Sequence, residues 1–265
     1  MSALLAEDEP PPFSLECELG RSRFLLICDH AGRRIPRSLG TLGLPEPDLQ
    51  RHIAWDIGAA LLTRELARRL DATAVLQTYS RLVIDCNRPL GSLQSIVSLS
   101  EQTMIPGNTG LLPASIEARE REIFWPYHDR ILREITGRAR DGRETVLISM
   151  HSFTPVFHGV TRPWHTGMLY QRDARLAAAL IAELRREAGL VVGDNQPYAA
   201  SDQTDYAIPA YGERLGLVHV GIEVRQDLIS HSEGVREWSE RLARALPAAA
   251  DALSGANRVY TRDAQ

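Results

Sequence analysis

A chain of 265 residues, 44% hydrophobic and 24% charged, is long enough for one large domain with a deep core, and its balance is that of an ordinary globular protein. A net charge of −4 leaves no broad basic field for nucleic acid or a membrane surface, and no apolar run approaches membrane-spanning length. All 30 basic residues are arginine, which excludes a lysine nucleophile, a Schiff base and a P-loop.

The segment Met1 to Pro12 is acidic and proline-rich, so it does not read as a signal peptide. Residues 1–20 are expected to be a lead-in and residues 21–265 the catalytic domain. Cys17, Cys28 and Cys86 are far apart and lack C-x-x-C spacing, which argues against a disulfide framework and suits a reducing cytoplasm. Arg23 to Cys28 predicts the first buried strand, ending at Asp29-His30-Ala31-Gly32. Ile35 to Pro47 is broken by proline and glycine and predicts a loop. Asp48 to Leu70 predicts a long amphipathic helical region, with Leu61, Leu62, Leu66 and Leu70 at helical spacing. Thr73 to Thr78 predicts a strand and Leu82-Val83-Ile84 a short extended piece. Gly91 to Pro113 is a polar loop without a period, and loops of that length in a compact domain are usually functional or mobile.

Pro113 to Arg138 predicts a helix. Thr145 to Met150 is a continuous β-prone, apolar run, the pattern of a strand buried on both faces, and it delivers His151 at its C-terminal end. A strand at Thr166 to Gln171, a helix at Ala174 to Gly189, a polar loop at Asp194 to Ile208, a strand at Leu217 to Arg225 and a helix at Ser232 to Leu253 complete the series. Strands that alternate with helices predict a single α/β domain, a twisted mixed or parallel sheet covered on both faces.

Three strand ends carry chemistry. His30 and His151 suit metal ligation by neutral imidazole at the mouth of a cleft, against the plainer role of a histidine capping a strand. Asp56, in Trp55-Asp56-Ile57-Gly58, is either a ligand that folds back or an acid stabilising a helix N-terminus. In Ser80-Arg81-Leu82-Val83-Ile84-Asp85-Cys86-Asn87-Arg88-Pro89, Arg81 and Arg88 can grip a substrate carboxylate or polarise a carbonyl, with Asp85 orienting an arginine; the alternative is a surface salt-bridge cluster. Glu223 lies in the apolar run from Val218 to Val224, where a carboxylate is costly unless paired. Desolvation suits it to general base work, with Asp227 as a competitor and a structural pairing with Arg225 as the alternative. Arg162, in the loop after the central strand, either lines an acyl or side-chain pocket or packs in a loop rim.

Taken in order, Asp29-His30-Ala31-Gly32, Asp56-Ile57-Gly58, Ser80 to Pro89, Ser149-Met150-His151-Ser152-Phe153, Gly193-Asp194-Asn195-Gln196-Pro197-Tyr198 and Ile222 to Asp227 resemble the N-formylglutamate amidohydrolase family. The resemblance runs from Phe24 to about Trp238. It implies a zinc-carboxypeptidase-like fold, one zinc per chain, and hydrolysis of a small, formyl-like acyl group from an N-acylated acidic amino acid. It carries His30 and His151 over as metal ligands and Glu223 as the catalytic glutamate. Arg81, Asn87 and Arg88 carry over as substrate contacts, with Arg162 and Arg225 as further substrate-binding candidates. The related superfamily has a glutamate three residues after the first histidine; Arg33 stands there here, so the third ligand is Asp56, Asp29 or a water. Two other functions compete. One is a metal-free binding protein for small carboxylates on the same fold; the other is a serine hydrolase using Ser149 or Ser152, which lacks a G-x-S-x-G elbow. The expected partner is a small N-acyl amino acid, with no nucleic acid and no membrane.

Overall fold

The computed structural model describes residues 3–262, with side chains described as far as residue 253 in the last helix. Its strands are β1 (Phe13–Glu16), β2 (Phe24–Cys28), β3 (Thr73–Gln77), β4 (Leu99–Ser100), β5 (Thr103–Met104), β6 (Val146–Phe153), β7 (Val156–Phe157), β8 (Val160–Thr161), β9 (Thr166–Leu169), β10 (Val192–Asp194) and β11 (Val218–Arg225). Its α-helices are α1 (Glu46–Leu49), α2 (Ala59–Leu70), α3 (Pro113–Arg119), α4 (Trp125–Arg140), α5 (Arg175–Leu184) and α6 (Ser232–Arg262).

Seven strands form one mixed sheet in the order β1-β3-β2-β6-β11-β9-β10. The four central strands are parallel, while β1 and β9 are antiparallel to β3 and β11. The lead-in therefore supplies an edge strand, because Phe13 to Glu16 pairs with Gln77 to Ala74. All eight residues of β6 are buried, as the apolar run predicts for the middle strand of a covered sheet.

Side chains alternate across the sheet with a period of two. Leu26, Cys28, Ile148, Met150, Val220, Ile222 and Val224 face one core, closed by α2, α5 and α6. Leu25, Ile27, Val75 and Leu147 face the other, closed by Phe124, Tyr127, Ile131 and Ile135 of the α3–α4 segment. In α2 the buried residues are Ala59, Leu62, Thr63, Leu66 and Ala67, one helical stripe. No described helix is long and apolar enough to cross a membrane.

Three predicted helices or strands differ. The helical region expected over Asp48 to Leu70 is broken: α1 ends at Leu49 and α2 begins at Ala59. Gly58 has φ +82°, and a Cβ there would lie 2.3 Å from the Ile229 carbonyl oxygen, so the chain must turn at a glycine. The Asp56 N–H then bonds to the His30 carbonyl at 2.9 Å, tying the turn to the end of β2. Leu82-Val83-Ile84 is a buried turn rather than an extended piece. Ser80 Oγ takes the Leu82 N–H at 3.1 Å and donates to the Ala54 carbonyl at 2.7 Å, offering the backbone a local partner in place of a ladder. A five-residue π turn at Glu120–Phe124 joins α3 to α4, where Pro126 has no N–H to give.

Candidate active site

β3 and β6 lie on opposite sides of β2, so the chain's crossovers diverge there, and a crevice opens at the C-terminal ends of the central strands. His30 follows β2 directly. The alternation that sends Ile148, Met150, Ile222 and Val224 to one core sends Ser149, His151 and Glu223 to the opposite side. In the parallel register His151 and Glu223 are direct partners on β6 and β11. The crevice is a cavity of about 540 Å³ whose wall includes His30, Asp56, Arg81, Arg88, His151 and Glu223.

His30, Asp56 and His151 are buried, and one ligating atom from each lies within 4.8 Å of the others. Asp56 Oδ2 stands 3.0 Å from His151 Nδ1 and 3.4 Å from His30 Nδ1, and accepts the Ser152 N–H at 3.2 Å. Donor atoms arranged tetrahedrally around zinc at about 2.1 Å are separated by about 3.4 Å, so the two Asp56–histidine spacings suit an ion of that size. The far nitrogen of each imidazole is anchored. His30 Nε2 is 2.7 Å from Asp85 Oδ1. His151 Nε2 is 2.9 Å from Ser149 Oγ and 3.6 Å from Asp29 Oδ2. A carboxylate behind a ligating histidine fixes its tautomer and aims its near nitrogen, which is how metal-binding imidazoles are usually supported. The chemistry of the donor set therefore fits a divalent ion. Asp29 is itself held by the Tyr127 hydroxyl at 2.8 Å, so it stands behind His151 and not beside Asp56.

The electrostatics separate the carboxylates into roles. Burial alone would raise the Asp85 carboxyl, but Arg81 and His30 hold it well below the usual range. Asp56 is likewise held low against its burial, by His30 and His151. Burial opposes charge on His151, yet the nearby Asp29 and Asp56 carboxylates raise its proton affinity well above the ordinary value. Glu223 goes the other way: burial pushes it up to about 7, against the pull of His151. Its Oε2 has no hydrogen-bond partner among the described residues.

Arg81 donates to Asp85 Oδ2 at 2.7 Å and lies 3.5 Å from Asp56 Oδ1 and 3.3 Å from His30 Nδ1, beside the cluster. Arg88 lines the cavity and donates to the carbonyls of Asn87 and Thr204. Asn87 also lines it, but its amide ties two loops together: Oδ1 accepts the N–H groups of Tyr206 and Ala207, and Nδ2 donates to Asp205. Arg162 is buried behind the wall. Its guanidinium lies over the Phe157 and Tyr198 rings and donates to the Tyr198 hydroxyl at 2.8 Å, and it is Tyr198 that faces the cavity. Arg225 pairs with Asp227 at 2.8 Å, outside the cavity wall. Sequence reasoning did not find Tyr127, His52, Glu101 or Asp205, which lie on a helix and in loops without a recognisable motif.

Known proteins are similar to this chain in sequence and fold. The family model described as N-formylglutamate amidohydrolase matches residues 22–230. The crystal structure of gene product Atu2144 from Agrobacterium tumefaciens is 37% identical, with 95% of this chain and 99% of that one aligned at a TM-score of 0.92. An N-formylglutamate amidohydrolase from Ralstonia eutropha JMP134 is 19% identical, with 93% and 100% covered at a TM-score of 0.66, and shares the fold. No match to a curated protein was found by sequence. A family match over most of the domain, together with a relative of more than one-third identity along nearly its whole length, shows that the chain belongs to the N-formylglutamate amidohydrolase family.

Proposed function

We propose that the chain is a zinc-dependent amidohydrolase that removes a small, formyl-like acyl group from an N-acyl amino acid. The observation that carries this reading is the convergence of His30, Asp56 and His151, each imidazole backed by a carboxylate, beside a buried glutamate on the neighbouring strand. His30, Asp56 and His151 would hold the ion, which supplies Lewis acidity to the acyl carbonyl and makes water a better nucleophile.

The rest is done by the chain. Arg81, fixed by Asp85, offers its guanidinium where negative charge develops on the carbonyl oxygen. Glu223 takes a proton from the attacking water as the C–O bond forms, then gives it to the amine nitrogen as the C–N bond breaks. A carboxyl whose proton affinity is near neutrality is suited to both transfers. Arg88 grips the α-carboxylate and so fixes which bond faces the cluster. The substrate is a small molecule, and the reducing cytoplasm remains the expected compartment.

A second reading has one observation behind it. Ser149 Oγ, His151 and Asp56 stand in the order of a nucleophile triad, at 2.9 and 3.0 Å. Ser149 is nearly inaccessible and its hydroxyl also faces Asp29 Oδ2 at 3.4 Å, which suits an anchor for the imidazole better than a nucleophile.

The deciding experiment measures metal content and product formation on N-formyl, N-acetyl and N-succinyl amino acids, N-formylglutamate among them. Stoichiometric zinc, turnover lost on chelation and turnover kept in Ser149→Ala support the amidohydrolase. No metal bound and no turnover after zinc, manganese or cobalt is added would leave a carboxylate-binding protein. Activity that survives chelation but not Ser149→Ala would favour the serine reading.

A further inference from the structure

We infer that the amino-acid half of the substrate carries one carboxylate and an uncharged side chain, so that N-acyl neutral amino acids are better substrates than N-acylglutamate. This rests on the amidohydrolase reading and narrows it. The guanidiniums that line the cavity are those of Arg81 and Arg88, among the described residues. Arg81 is held by Asp85 beside Asp56 and, in the proposed reaction, serves the carbonyl oxygen and not a second carboxylate. Arg88 gives its described hydrogen bonds to carbonyl oxygens and its charge also reaches Asp85, which leaves at most one fork for one carboxylate.

Beyond Arg81, the imidazoles of the His30–Asp56–His151 cluster, and His52, which pairs with Glu101, the wall offers a second carboxylate acidic or neutral neighbours. Asp205 lines the cavity and takes its hydrogen bonds from neutral donors: Ser201 N–H, Thr204 Oγ and Asn87 Nδ2. Glu101, at the rim, already holds Arg51 at 2.8 Å and His52 at 3.1 Å, so that cluster has no cation to spare. Arg162 and Arg225, the other arginines expected to meet substrate, lie behind Tyr198 and against Asp227. The remaining wall includes Val97, Leu99, Phe157 and Leu169, a surface for an apolar or amide side chain. A like-charge juxtaposition in a desolvated site costs enough to select against a dianion.

The test pairs N-formylglutamine with N-formylglutamate, which have nearly the same shape and differ in one charge. The zinc-loaded wild-type enzyme gives kcat/KM, and calorimetry on zinc-loaded Glu223→Gln gives binding without turnover. The expected result is a preference for the amide of about tenfold or more in both measurements. In wild type, Arg88→Ala should weaken the two substrates by the same factor, because both present the same α-carboxylate. Equal or better use of N-formylglutamate overturns the inference, as does an Arg88→Ala loss confined to the glutamate substrate. Both of those outcomes leave the amidohydrolase reading standing. Neither turnover nor binding of any N-formyl amino acid overturns that reading and this inference with it.

Discussion

The two halves of the cavity are held in place by different means. The half that carries His151 and Glu223 is part of the sheet. Its side chains are fixed by a ladder in which Glu223 opposes His151, and every flanking residue of β6 is buried. The half that carries Arg81, Asp85, Asn87 and Arg88 has no ladder. It is a series of turns held by buried side chains that reach backbone oxygens. Arg119 donates to the Val83 carbonyl at 2.8 Å and to Asn108 Oδ1 at 2.7 Å. His128 accepts the Tyr211 hydroxyl at 2.8 Å and donates to the Cys86 carbonyl at 2.9 Å. Burial keeps that imidazole neutral, its pKa lowered to about 4, which is what a group that must both accept and donate requires. The sheet half is therefore stiff by construction and suits reacting groups. The loop half is stiff only while each clamp is intact, and suits a surface that meets a variable substrate.

The comparison breaks hardest at Glu223. Glu223→Gln keeps the size of the group and removes its capacity to take a proton. Turnover is expected to fall by roughly two to four decades with zinc content unchanged. The sign of the pH effect comes from the raised pKa: the base form exists above about 7, so kcat/KM should fall about tenfold per pH unit below that value. Glu223→Gln should lose that acid limb. Zinc lost along with turnover would make Glu223 a ligand, and near-normal turnover would pass the role to another group.

Arg119→Met tests the loop half. It strips the donor from Val83 O, Gly107 O and Asn108 Oδ1, all in or near buried surroundings. Stability should fall by about 3 kcal/mol in urea titration, the cost of leaving buried acceptors unmet. KM should rise more than kcat falls, and zinc content should hold, because the ion cluster does not depend on this clamp. Loss of zinc in this variant would mean that the halves are not independent.

Asp85→Asn sits on the border between them, since Asp85 holds both His30 and Arg81. Removing the charge behind a ligating imidazole is expected to weaken zinc by about 10- to 100-fold, measured by competition with a chromophoric chelator. An unchanged affinity would confine Asp85 to the arginine.

Much of the sheet half was legible in the sequence because its signal is local. A run such as Val146 to Met150 announces a buried strand, and the next residue, His151, stands by geometry at the cleft. The register of Glu223 against His151 is then only a matter of aligning two such runs. Asp56 was legible as a candidate but not as the bridging member, because the turn at Gly58 that brings it back depends on Ile229, far along the chain. In the loop half the residue types could be read but not their targets. Asn87 has the look of a substrate contact, yet its amide joins Asp205, Tyr206 and Ala207, more than a hundred positions away. No periodicity encodes such a pairing. Tyr127 behind Asp29 and Arg119 behind Val83 are hidden for the same reason: each sits on a helix whose pattern advertises only its apolar face.

The smallest effect is expected at Arg225, and it sharpens the contrast with Arg88. Both were candidates for gripping substrate, and both are arginines at the end of a functional segment. Arg225 leaves the end of β11, turns to Asp227, and reaches the carbonyls of Arg162 and Trp164 at 3.5 and 3.4 Å. Asp227 is close to half exposed, and an ion pair of that kind contributes about 0–1 kcal/mol. Arg225→Ala should therefore change stability by no more than about 1 kcal/mol. Its kcat/KM should stay within about threefold of wild type for the acid and amide substrates alike. Arg88→Ala, which removes a cavity-lining guanidinium whose described hydrogen bonds go to carbonyl oxygens, should raise KM for both. If the two variants lost activity equally, the 162–165 loop that Arg225 steadies would have to be counted as part of the binding wall. The division between a ladder-held and a clamp-held half would then have to be redrawn to include the end of β11.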